Sequence, residues 1–498
     1  MDNIGQGQCG NKHIGSKRDG LRESATPFLG PSLGVFIHTF FVLLTSPPLP
    51  FLTVGSMSSS SSGGGRRRRP RGDFDTPSSS RRRAANGVWP EPFIEALATQ
   101  VAIDASRSLG RIHAAAALSN VFQVCSMWRA VSRSELLWRR LTTQIWGRSF
   151  RLLDTWRDEY IYWHTTACNF WRRRYLHTIL QFDQSDVDEP AGLMCRCLAL
   201  SLHYLACGFA DGTVRLFDLA TRLHVATFHP HHRDRLGLFS RAVSGIVITD
   251  ACLVFASVDG DVHVGIIAAA MNGVSPTRRV CEGNVMNDGV LVDFAGCDRW
   301  WVGLYAGVPG RTFHVWDGNT EELVFVGGSL TDPEAVTGWH MLTEPTEPVG
   351  RVRVSNQESA VACTRLQLMV LDLRDQEVVL NEEENGEVRI VTSMDVSNER
   401  YIVVDGEGVS IVRRVDTMEE VCRFLVSGAG QRGAMGCINM GYAVMNSSGA
   451  MKVWEIEHGQ FLYRFRERVG AATAMVANDR YVAASGFDRR LHLWDFGA

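Results

Sequence analysis

The sequence predicts a mainly β fold, a seven-bladed β-propeller preceded by a small α-helical module, a helical linker and a disordered N-terminus. The first observation is a short strand-like motif that recurs seven times after residue 176. The second is a helical apolar pattern over residues 88–174, which hold seven of the thirteen tryptophans. The third is a Ser-, Gly- and Arg-rich run over residues 57–87, which is typical of disordered segments.

Length and composition fit such a multi-domain globular protein. The chain has 498 residues, 45% of them apolar, and a net charge of only −3, so no overall field points to nucleic acid or a membrane as the partner. Twelve cysteines are scattered without any C-x-x-C pair. We therefore expect reduced thiols, with neither a disulfide framework nor a metal site.

Residues 1–87 precede the predicted folded part and are expected to be disordered. The apolar run 33–44 is shorter than the ~20 residues that a transmembrane helix needs. Because Met57 is followed directly by a Ser/Gly run, we interpret residues 1–56 as an extension of the gene model and Met57 as the natural start.

Two arginine clusters lie in the disordered run. Import receptors read two short basic clusters on an extended chain, so this pattern predicts a bipartite import signal and nuclear localisation. The alternatives are a solvated tail and a nucleic-acid-binding arm, although the run lacks interleaved aromatic residues that stack on bases. The import residues are Arg66, Arg67, Arg68, Arg69, Arg81, Arg82 and Arg83.

Residues 88–141 are predicted to form a helical module. Pro90 and Pro92 are tolerated in a first helical turn, and Phe93, Leu97 and Val101 follow at a spacing of four, which places them on one face. The stretch "HAAAALSNVFQVCSMWRAVSRSELLWRRL" continues the helical apolar pattern.

The segments "WPEPFIEALA", "VCSMWRAVS" and "LLWRRL" resemble the F-box family, small helical modules that dock on the Skp-type adaptor of SCF ubiquitin ligases. Trp89 stands where the family usually has leucine. The resemblance implies contact with the adaptor and, through it, with the cullin. The alternative is an ordinary three-helix bundle that uses the same residues as its core. The residues that carry the resemblance are Pro90, Phe93, Leu97, Leu118, Val124, Cys125, Trp128, Leu137 and Trp138.

Residues 142–174 are predicted to be an aromatic helical linker. Trp156, Tyr160 and Trp163 form one stripe of a helix. We expect this stripe to pack between the helical module and the following domain, because large aromatic side chains fill such a junction and stiffen it.

The repeat defines the remaining domain, residues 175–498. The motif first reads "DGTVRLFDL" (211–219) and last reads "DRRLHLWDF" (488–496). Separations of 40 to 55 residues suit one four-stranded blade each. Aromatic–acidic endings such as Trp494–Asp495 resemble divergent WD repeats, in which the motif is the third strand of a blade. The apolar anchor of the motif recurs at positions 214, 262, 313, 368, 409, 451 and 491.

The last motif lacks a following segment that could pair with it, since only Gly497 and Ala498 come after it. The strand-like segment "YLHTILQF" (175–182) stands just before the first blade and has no sheet of its own. We predict that this segment pairs with the last motif and closes the ring, so that no sheet edge is left open.

The sequence predicts a protein without catalytic residues, cofactor or metal. Gly428, Gly430 and Gly433 spell G-x-G-x-x-G, but strand-like residues follow them where a dinucleotide site needs a helix, so we expect a turn between blades. The histidines at 229, 231 and 232 cluster without a second pair of metal ligands, and we expect them to be solvated. We therefore do not expect an enzyme.

Several long segments between residues 86 and 498 resemble one plant family, the STERILE APETALA type. They include "VCSMWRAVSRSELLW", "DRWWVGLYAGVPGR" and "TDPEAVTGWH". The resemblance implies a nuclear SCF substrate receptor that delivers transcriptional repressors to ubiquitination and controls floral and organ growth. The alternative is a nuclear transcriptional regulator or scaffold that acts through protein interactions without ubiquitination. Neither hypothesis involves a small-molecule substrate or a membrane, and no direct nucleic-acid contact is expected.

Substrate is expected on the propeller face that carries the loops leading into each innermost strand. Four loops stand out by length or charge, namely 183–190, 229–242, 306–311 and 329–342, and long ordered loops tend to be functional. The alternative is that these loops only brace one another across a charge boundary. The candidate substrate-binding residues are Arg233, Arg235, Arg241, Arg311 and Trp339.

Overall fold

A computed structural model provides the structure of the protein. It describes residues 89–182, 190–231, 236–271, 277–329, 338–344, 349–364, 367–375, 379–384, 391–426 and 434–498. The predictions for residues 1–87, including the seven import arginines and the gene-model extension, lie outside the described residues. So do Arg233, Arg235, His232 and the glycine-rich segment 427–433.

The described chain begins with five helices. Pro92 lies in the first turn of the first helix, where proline is tolerated. Ser134 caps the fourth helix by accepting a hydrogen bond from the Leu137 amide (3.3 Å), and Thr155 caps the fifth by accepting one from the Asp158 amide. The predicted module boundary at residue 141 falls inside the fourth helix, which continues to a left-handed C-cap at Gly147. The helices are α1 (Glu91–Leu109), α2 (His113–Phe122), α3 (Ser126–Val131), α4 (Glu135–Trp146) and α5 (Trp156–Arg172).

Twenty-eight strands follow in the described residues, interrupted only by short helices. The short helices are α6 (Ile267–Met271), α7 (Val285–Asp288) and two 3₁₀ turns (Pro190–Leu193 and Gly338–Leu342). The strands are β1 (Leu176–Leu180), β2 (Cys195–Leu200), β3 (Tyr204–Phe209), β4 (Val214–Asp218), β5 (His224–Phe228), β6 (Val243–Ile248), β7 (Cys252–Ser257), β8 (Val262–Ile266), β9 (Thr277–Cys281), β10 (Val290–Gly296), β11 (Trp300–Ala306), β12 (Phe313–Asp317), β13 (Glu322–Gly327), β14 (Gly350–Val354), β15 (Ser359–Thr364), β16 (Gln367–Asp372), β17 (Val379–Glu384), β18 (Val391–Ser397), β19 (Arg400–Asp405), β20 (Val409–Arg414), β21 (Glu420–Leu425), β22 (Met435–Ile438), β23 (Tyr442–Ser447), β24 (Ala450–Glu455), β25 (Gln460–Arg468), β26 (Ala472–Ala477), β27 (Tyr481–Gly486) and β28 (Leu491–Asp495).

These strands form seven antiparallel sheets of four strands each, which confirms the predicted seven-bladed β-propeller. Six blades are consecutive meanders, from β2–β5 to β22–β25. The innermost strands β2, β6, β10, β14, β18, β22 and β26 contact one another in a closed ring. The seven predicted motif anchors all fall on the third strand of a blade, because that strand carries the alternating apolar residues that fill the space between sheets.

The seventh blade has the order β1-β28-β27-β26, as predicted from the unpaired last motif. Leu176 pairs with Asp495 and Leu180 pairs with Leu491, antiparallel and without a bulge. Leu180 is buried with Leu491 and Leu493 against blade 1. The strand before the first blade therefore closes the ring.

The second blade has a short helix between its third and fourth strands. In this blade, β8 ends at Ile266 and helix α6 follows directly, before the outer strand β9. The sequence "IAAAM" explains this helix, because alanine is the strongest helix former.

The antiparallel sheets give the propeller two different ends. The loop face carries the connections from each outer strand to the next inner strand and the turns between second and third strands, including 229–242, 282–289, 307–312, 328–349 and 487–490. The module face is the opposite end and includes the turns 297–299, 355–358, 398–399, 439–441 and 478–480. In the described part of the chain, no helix combines the length and the apolar character needed to cross a membrane.

Candidate functional site

The helical module has a compact core that includes three of the predicted adaptor contacts. Leu118, Leu137 and Trp138 have no exposed surface. The Trp138 indole donates a 2.7 Å hydrogen bond to the Ser132 carbonyl and packs edge-on against Phe122. These three residues therefore hold the helices together instead of forming an outer contact surface.

The other predicted adaptor residues lie at the surface of the module. Pro90, Phe93, Val124 and Cys125 are exposed, and Leu97 and Trp128 are half-buried. Val124 exposes 62% of its surface, and Trp89 stacks on Phe93 with the ring centroids 4.7 Å apart. Helices α1 and α3, which carry or adjoin these residues, are in contact. Exposed apolar side chains grouped on one small module are typical of a protein-interaction surface.

Two exposed residues of the module were missed by the sequence reading. Met127 and Leu136 expose 38% and 48% of their surface, on α3 and at the start of α4. Both adjoin residues that the prediction named. The sequence could have indicated these two residues, because each is apolar at a helix position beside the core face, where a polar residue is usual.

Tyr160 and Trp163 of the predicted aromatic stripe pack within the helical part of the chain, while a residue further along the same helix, Phe170, packs against the propeller. Tyr160 is buried against Trp138 (5.1 Å between ring centroids) and Trp146 (6.0 Å). The Glu159 carboxylate accepts a 2.7 Å hydrogen bond from the Trp163 indole, and its other oxygen accepts the amides of residues 152 and 153. The stripe thus connects α4, α5 and the loop between them.

Helix α5 is fixed to the module face of the propeller. Phe170 has no exposed surface and stacks on Tyr442 (5.0 Å) and on Phe496 (3.6 Å). The Tyr442 hydroxyl donates to the Ala167 carbonyl, and the side-chain amide of Asn169 donates to the Phe496 carbonyl, both at 2.8 Å. Burial of these rings and satisfied polar groups makes this a continuous core and not a loose contact.

Charged groups add a second attachment beside this core. Asp479 lies between Arg148 (3.1 Å) and Arg111 (3.6 Å), and all three side chains are at most one quarter exposed. The guanidinium of Arg148 also stacks over Trp163 at 4.0 Å, and that of Arg111 over Trp146 at 5.0 Å. One carboxylate of blade 7 therefore holds arginines from two separate parts of the module.

Three of the four predicted loops meet on the loop face. The Phe239 amide donates to the Leu342 carbonyl (2.9 Å), which joins loop 229–242 to loop 329–342. The half-buried Trp339 ring lies under Gly307, whose φ of +107° and lack of a side chain allow this approach, since a Cβ would come within 2.9 Å of the indole. The fourth loop, 183–189, lies outside the described residues.

The two candidate arginines that the structure describes, Arg241 and Arg311, have partners within the protein. Arg311 donates to one Asp288 oxygen through Nε (3.0 Å) and through its terminal nitrogen (2.7 Å), while 43% of its side chain stays exposed. Arg241 is described and also has partners within the chain. The Arg311–Asp288 contact joins the 306–311 loop to the neighbouring segment 282–289 and leaves part of the Arg311 side chain accessible.

The loop face also exposes large apolar side chains that the sequence reading missed. Met286 on α7 exposes 81% of its surface and Phe487 exposes 69%. Leu236 and Leu238 are about half exposed in the loop that also carries Arg241. Apolar residues in connections do not follow a helix or strand periodicity, so hydrophobic patterning could not predict their exposure. An unusually long connection is the sequence feature that points to such a surface.

Several of the described cysteines and histidines are buried. Burial raises the pKa of the Cys197 and Cys363 thiols to about 12, so both are protonated at neutral pH. No group of three potential metal ligands occurs there, and the eleven described cysteines are free. The His231 amide donates to the ring of His263 (3.2 Å), whose burial lowers its pKa to about 4. After residues 427–433 the chain continues into β22 and β23, without the helix of a dinucleotide site.

Comparison with known proteins gives a strong relationship in sequence. No protein-family model matches the chain. A curated protein from Arabidopsis thaliana, named Transcriptional regulator STERILE APETALA, is 58% identical over 433 residues, which are 86% of this chain and 96% of the relative. Among solved structures, the computationally designed Ika8 protein matches with a TM-score of 0.44 and 17% identity, over 64% of this chain and 98% of that one.

Proposed function

Since the chain belongs to the STERILE APETALA family, we propose that it regulates transcription in the nucleus as the substrate receptor of an SCF-type ubiquitin ligase. In this proposal the helical module is an F-box that docks on the Skp-type adaptor, and through it on the cullin. The propeller is a divergent WD-repeat domain that holds the target proteins, which we infer to be transcriptional repressors acting on floral and organ growth.

The exposed apolar surface of the helical module is the observation that carries the adaptor proposal. Phe93 and Val124 are exposed while Leu137 and Trp138 are buried, so the module keeps its own core and still presents apolar surface. We therefore assign the adaptor contact to Pro90, Phe93, Leu97, Val124, Cys125 and Trp128, and a supporting role to Leu118, Leu137 and Trp138. Such surface on a soluble module is stabilised when a partner covers it.

The attachment of α5 to the propeller supports the second half of the proposal. A receptor makes no bond itself; it raises the effective concentration of substrate lysines near a ubiquitin-loaded enzyme. Fixed geometry helps, because a short stiff connection concentrates the substrate more than a flexible one. The Phe170 core and the Asp479 ion pairs provide such a connection. The protein thus needs neither cofactor nor catalytic residue in this role.

The loop face is the proposed substrate surface. Its exposed Met286 and Phe487, the half-buried Trp339 and the partly exposed Arg311 provide apolar anchors and positive charge. Arg241 lies in the connection between β5 and β6 on this face, and we include Arg233 and Arg235 of the same connection in the proposed basic surface from the sequence alone. Aromatic and arginine residues are enriched among the anchors of protein interfaces.

A nuclear regulator without ubiquitination is the second candidate. The name of the Arabidopsis relative, a transcriptional regulator, favours it. In that case the same propeller would recruit proteins to a regulatory complex, and the helical module would be a structural support for α5. The two candidates differ in one property, which is stable binding of the Skp-type adaptor.

Adaptor binding by the full chain tests this difference. We expect Val124→Asp to abolish co-purification of the Skp-type adaptor, because it places a charge on the exposed apolar surface. Leu323→Asp is the matched control, since Leu323 is also exposed (44%) but lies on the outer strand β13. Leu137→Asp is expected to unfold the module, which circular dichroism would detect. If the folded Val124→Asp protein retains the adaptor at the wild-type level, the adaptor proposal is wrong.

Substrate capture is tested by reversing charge on the loop face. Replacing Arg233, Arg235 and Arg241 by glutamate should abolish the capture of nuclear proteins that depends on the propeller, while adaptor binding persists. The matched control replaces the three exposed arginines of the outer strand β25 by glutamate, namely Arg464, Arg466 and Arg468. Equal capture by both variants would place the substrate site elsewhere.

A further inference from the structure

The central channel contains a cavity of about 540 Å³ in its half nearer the module face. Its walls are the innermost strands of blades 1 to 5 and of blade 7, and its mouth is formed by the turns 297–299 and 355–358. Asp298 and Arg299 in the first of these turns are exposed, so the cavity opens to solvent at this end. Its volume is within the roughly 300–1,000 Å³ that ligand pockets usually occupy.

Carboxylates outnumber guanidiniums in the lining of this cavity. The acidic residues are Asp293, Asp298, Glu358 and Asp395, and the basic residues are Arg299 and Arg353. Arg196, although it is on the inner strand β2, is outside the lining and donates its Nε–H to the Val243 carbonyl (3.3 Å). The cavity therefore carries a net negative charge.

Arg353 is already satisfied by its neighbours. Its terminal nitrogen donates to Asp293 (2.7 Å) and to the Val352 carbonyl (2.6 Å), and its Nε lies 3.8 Å from Asp395. A guanidinium held between two carboxylates has little attraction left for an anion. The deep end of the cavity consequently does not favour an acidic ligand.

Asp395 has capacity for a further donor. Its Oδ2 accepts the Ile438 amide (2.9 Å), the Val396 amide also hydrogen-bonds to the carboxylate, and the Nε of Arg353 lies 3.8 Å from Oδ1 as an ion pair without a direct hydrogen bond. Burial raises the pKa of this carboxyl to about 6, which is the direction expected for a charge whose compensation is incomplete. Burial outweighs the contacts with Arg353 and the two amides, so a further cation at the cavity side of this carboxylate would stabilise its charge.

The mouth adds a second acidic position that is less committed. Asp298 is exposed, whereas Glu358 is shared between Arg299 (3.6 Å) and Arg374 (3.2 Å). A long side chain that enters past Asp298 can reach towards Asp395 inside the cavity. Arginine suits this arrangement, because its planar guanidinium donates in several directions at once and is easily desolvated.

We propose that this channel cavity binds an arginine side chain of a peptide segment, which enters past Asp298 at the mouth and places its guanidinium against Asp395. The site lies at the opposite end of the channel from the loop face, and it is independent of the proposed ubiquitin-ligase role. The arginine comes either from a partner protein or from one of the chain's own clusters at 66–69 and 81–83. Both sources share the same chemistry and are separated by the experiment below.

Fluorescence anisotropy with the purified full chain tests the site. The probe is fluorescein-labelled Gly-Ser-Gly-Arg-Gly-Ser-Gly, and the same peptide with citrulline is its neutral, isosteric control. We expect the citrulline peptide to bind at least about tenfold more weakly, as is usual for the loss of a charge-assisted hydrogen bond. Equal binding of the two peptides, or tighter binding of an aspartate version, would overturn the proposal.

Two variants and one control locate the binding. Asp395→Asn keeps an acceptor for the Ile438 amide and removes one charge, and we expect about 10- to 100-fold weaker binding. Asp298→Asn should weaken binding by several-fold without any effect on folding, since Asp298 is exposed. Asp416→Asn is the control, an exposed carboxylate of blade 5 outside the cavity. Unchanged binding in both cavity variants would refute the site even if one of them were unstable.

A final arm identifies the source of the arginine. The full chain with serine at 66–69 and 81–83 is titrated with the same peptide. Tighter binding would show that the chain's own arginines compete for the cavity, and unchanged binding would assign the site to a partner. Either result supports the arginine site, provided that the citrulline peptide still binds more weakly to this variant.

Discussion

Closure of the ring by β1 makes a quantitative prediction about one side chain. Leu180 is 3% exposed and packs with Leu491, Leu493 and the first blade, whereas its neighbour Ile179 is 39% exposed on the other side of the same strand. Leu180→Ala should lower the free energy of unfolding by about 2–5 kcal/mol, the usual range for a buried leucine. Ile179→Ala removes similar apolar volume from the surface and should cost well under half as much.

The expected effect is measurable as a shift in Tm. Unfolding has an entropy of about 2 cal/mol/K per residue, so over the propeller, residues 175–498, a loss of about 2–5 kcal/mol corresponds to roughly 3–7 °C. Circular dichroism and tryptophan fluorescence should report the same transition for Leu180→Ala. Equal Tm values for the two alanine variants would refute the closure argument.

Deletion of 175–182 is the stronger form of the same perturbation. It uncovers the edge of β28 along all five residue pairs of the β1–β28 ladder. An open strand edge is a template for pairing with another chain, so the deleted protein should form oligomers in size-exclusion chromatography. A monodisperse protein with an unchanged Tm would contradict the pairing.

Three further predictions concern charge. Burial lowers the pKa of the imidazoles of His164, His263 and His314 to about 4. Stability should therefore fall as the pH drops from 6.5 towards 4, because the unfolded chain then binds protons that the folded chain does not. The urea midpoint measured against pH would check this, and replacement of one of these histidines by glutamine should flatten the profile. Asp479→Asn should weaken the attachment of the helical module by about 1–3 kcal/mol, seen as faster amide hydrogen exchange in α5, whereas Asp416→Asn should leave exchange there unchanged. Alanine at 66–69 and 81–83 should leave a fluorescent fusion in the cytoplasm, and unchanged nuclear fluorescence would reject the import signal.

The repeat could be predicted because it depends on local pattern. Each third strand carries alternating apolar residues at a fixed distance from the next motif, and the unpaired last motif required a partner such as β1. These are properties of neighbouring residues and of chain connectivity, and both are visible in a sequence.

The site was only partly predictable, because its residues depend on tertiary neighbours. Val124 and Leu137 are both apolar residues of one helical pattern, yet one is 62% exposed and the other fully buried. The sequence suggested that Arg311 is free to bind a substrate, but in the structure it donates a hydrogen bond to Asp288 from another loop. Asp293 and Asp395 are 102 positions apart in the chain, so no spacing rule could bring them into one cavity.

The closing strand also sets a delay between synthesis and completion of the fold. His177 on β1 and His492 on β28 are 315 positions apart in the chain, and the Nε2 of His177 lies 3.1 Å from the Nδ1 of His492. At about 5–20 residues per second, roughly 15–60 s pass on the ribosome between the two strands. During that time β1 lacks its pairing partner β28, and Phe170 of α5 lacks the Phe496 ring on which it stacks. Nascent chains of this protein therefore expose an unpaired strand and an apolar helix face together, which is the surface that chaperones recognise.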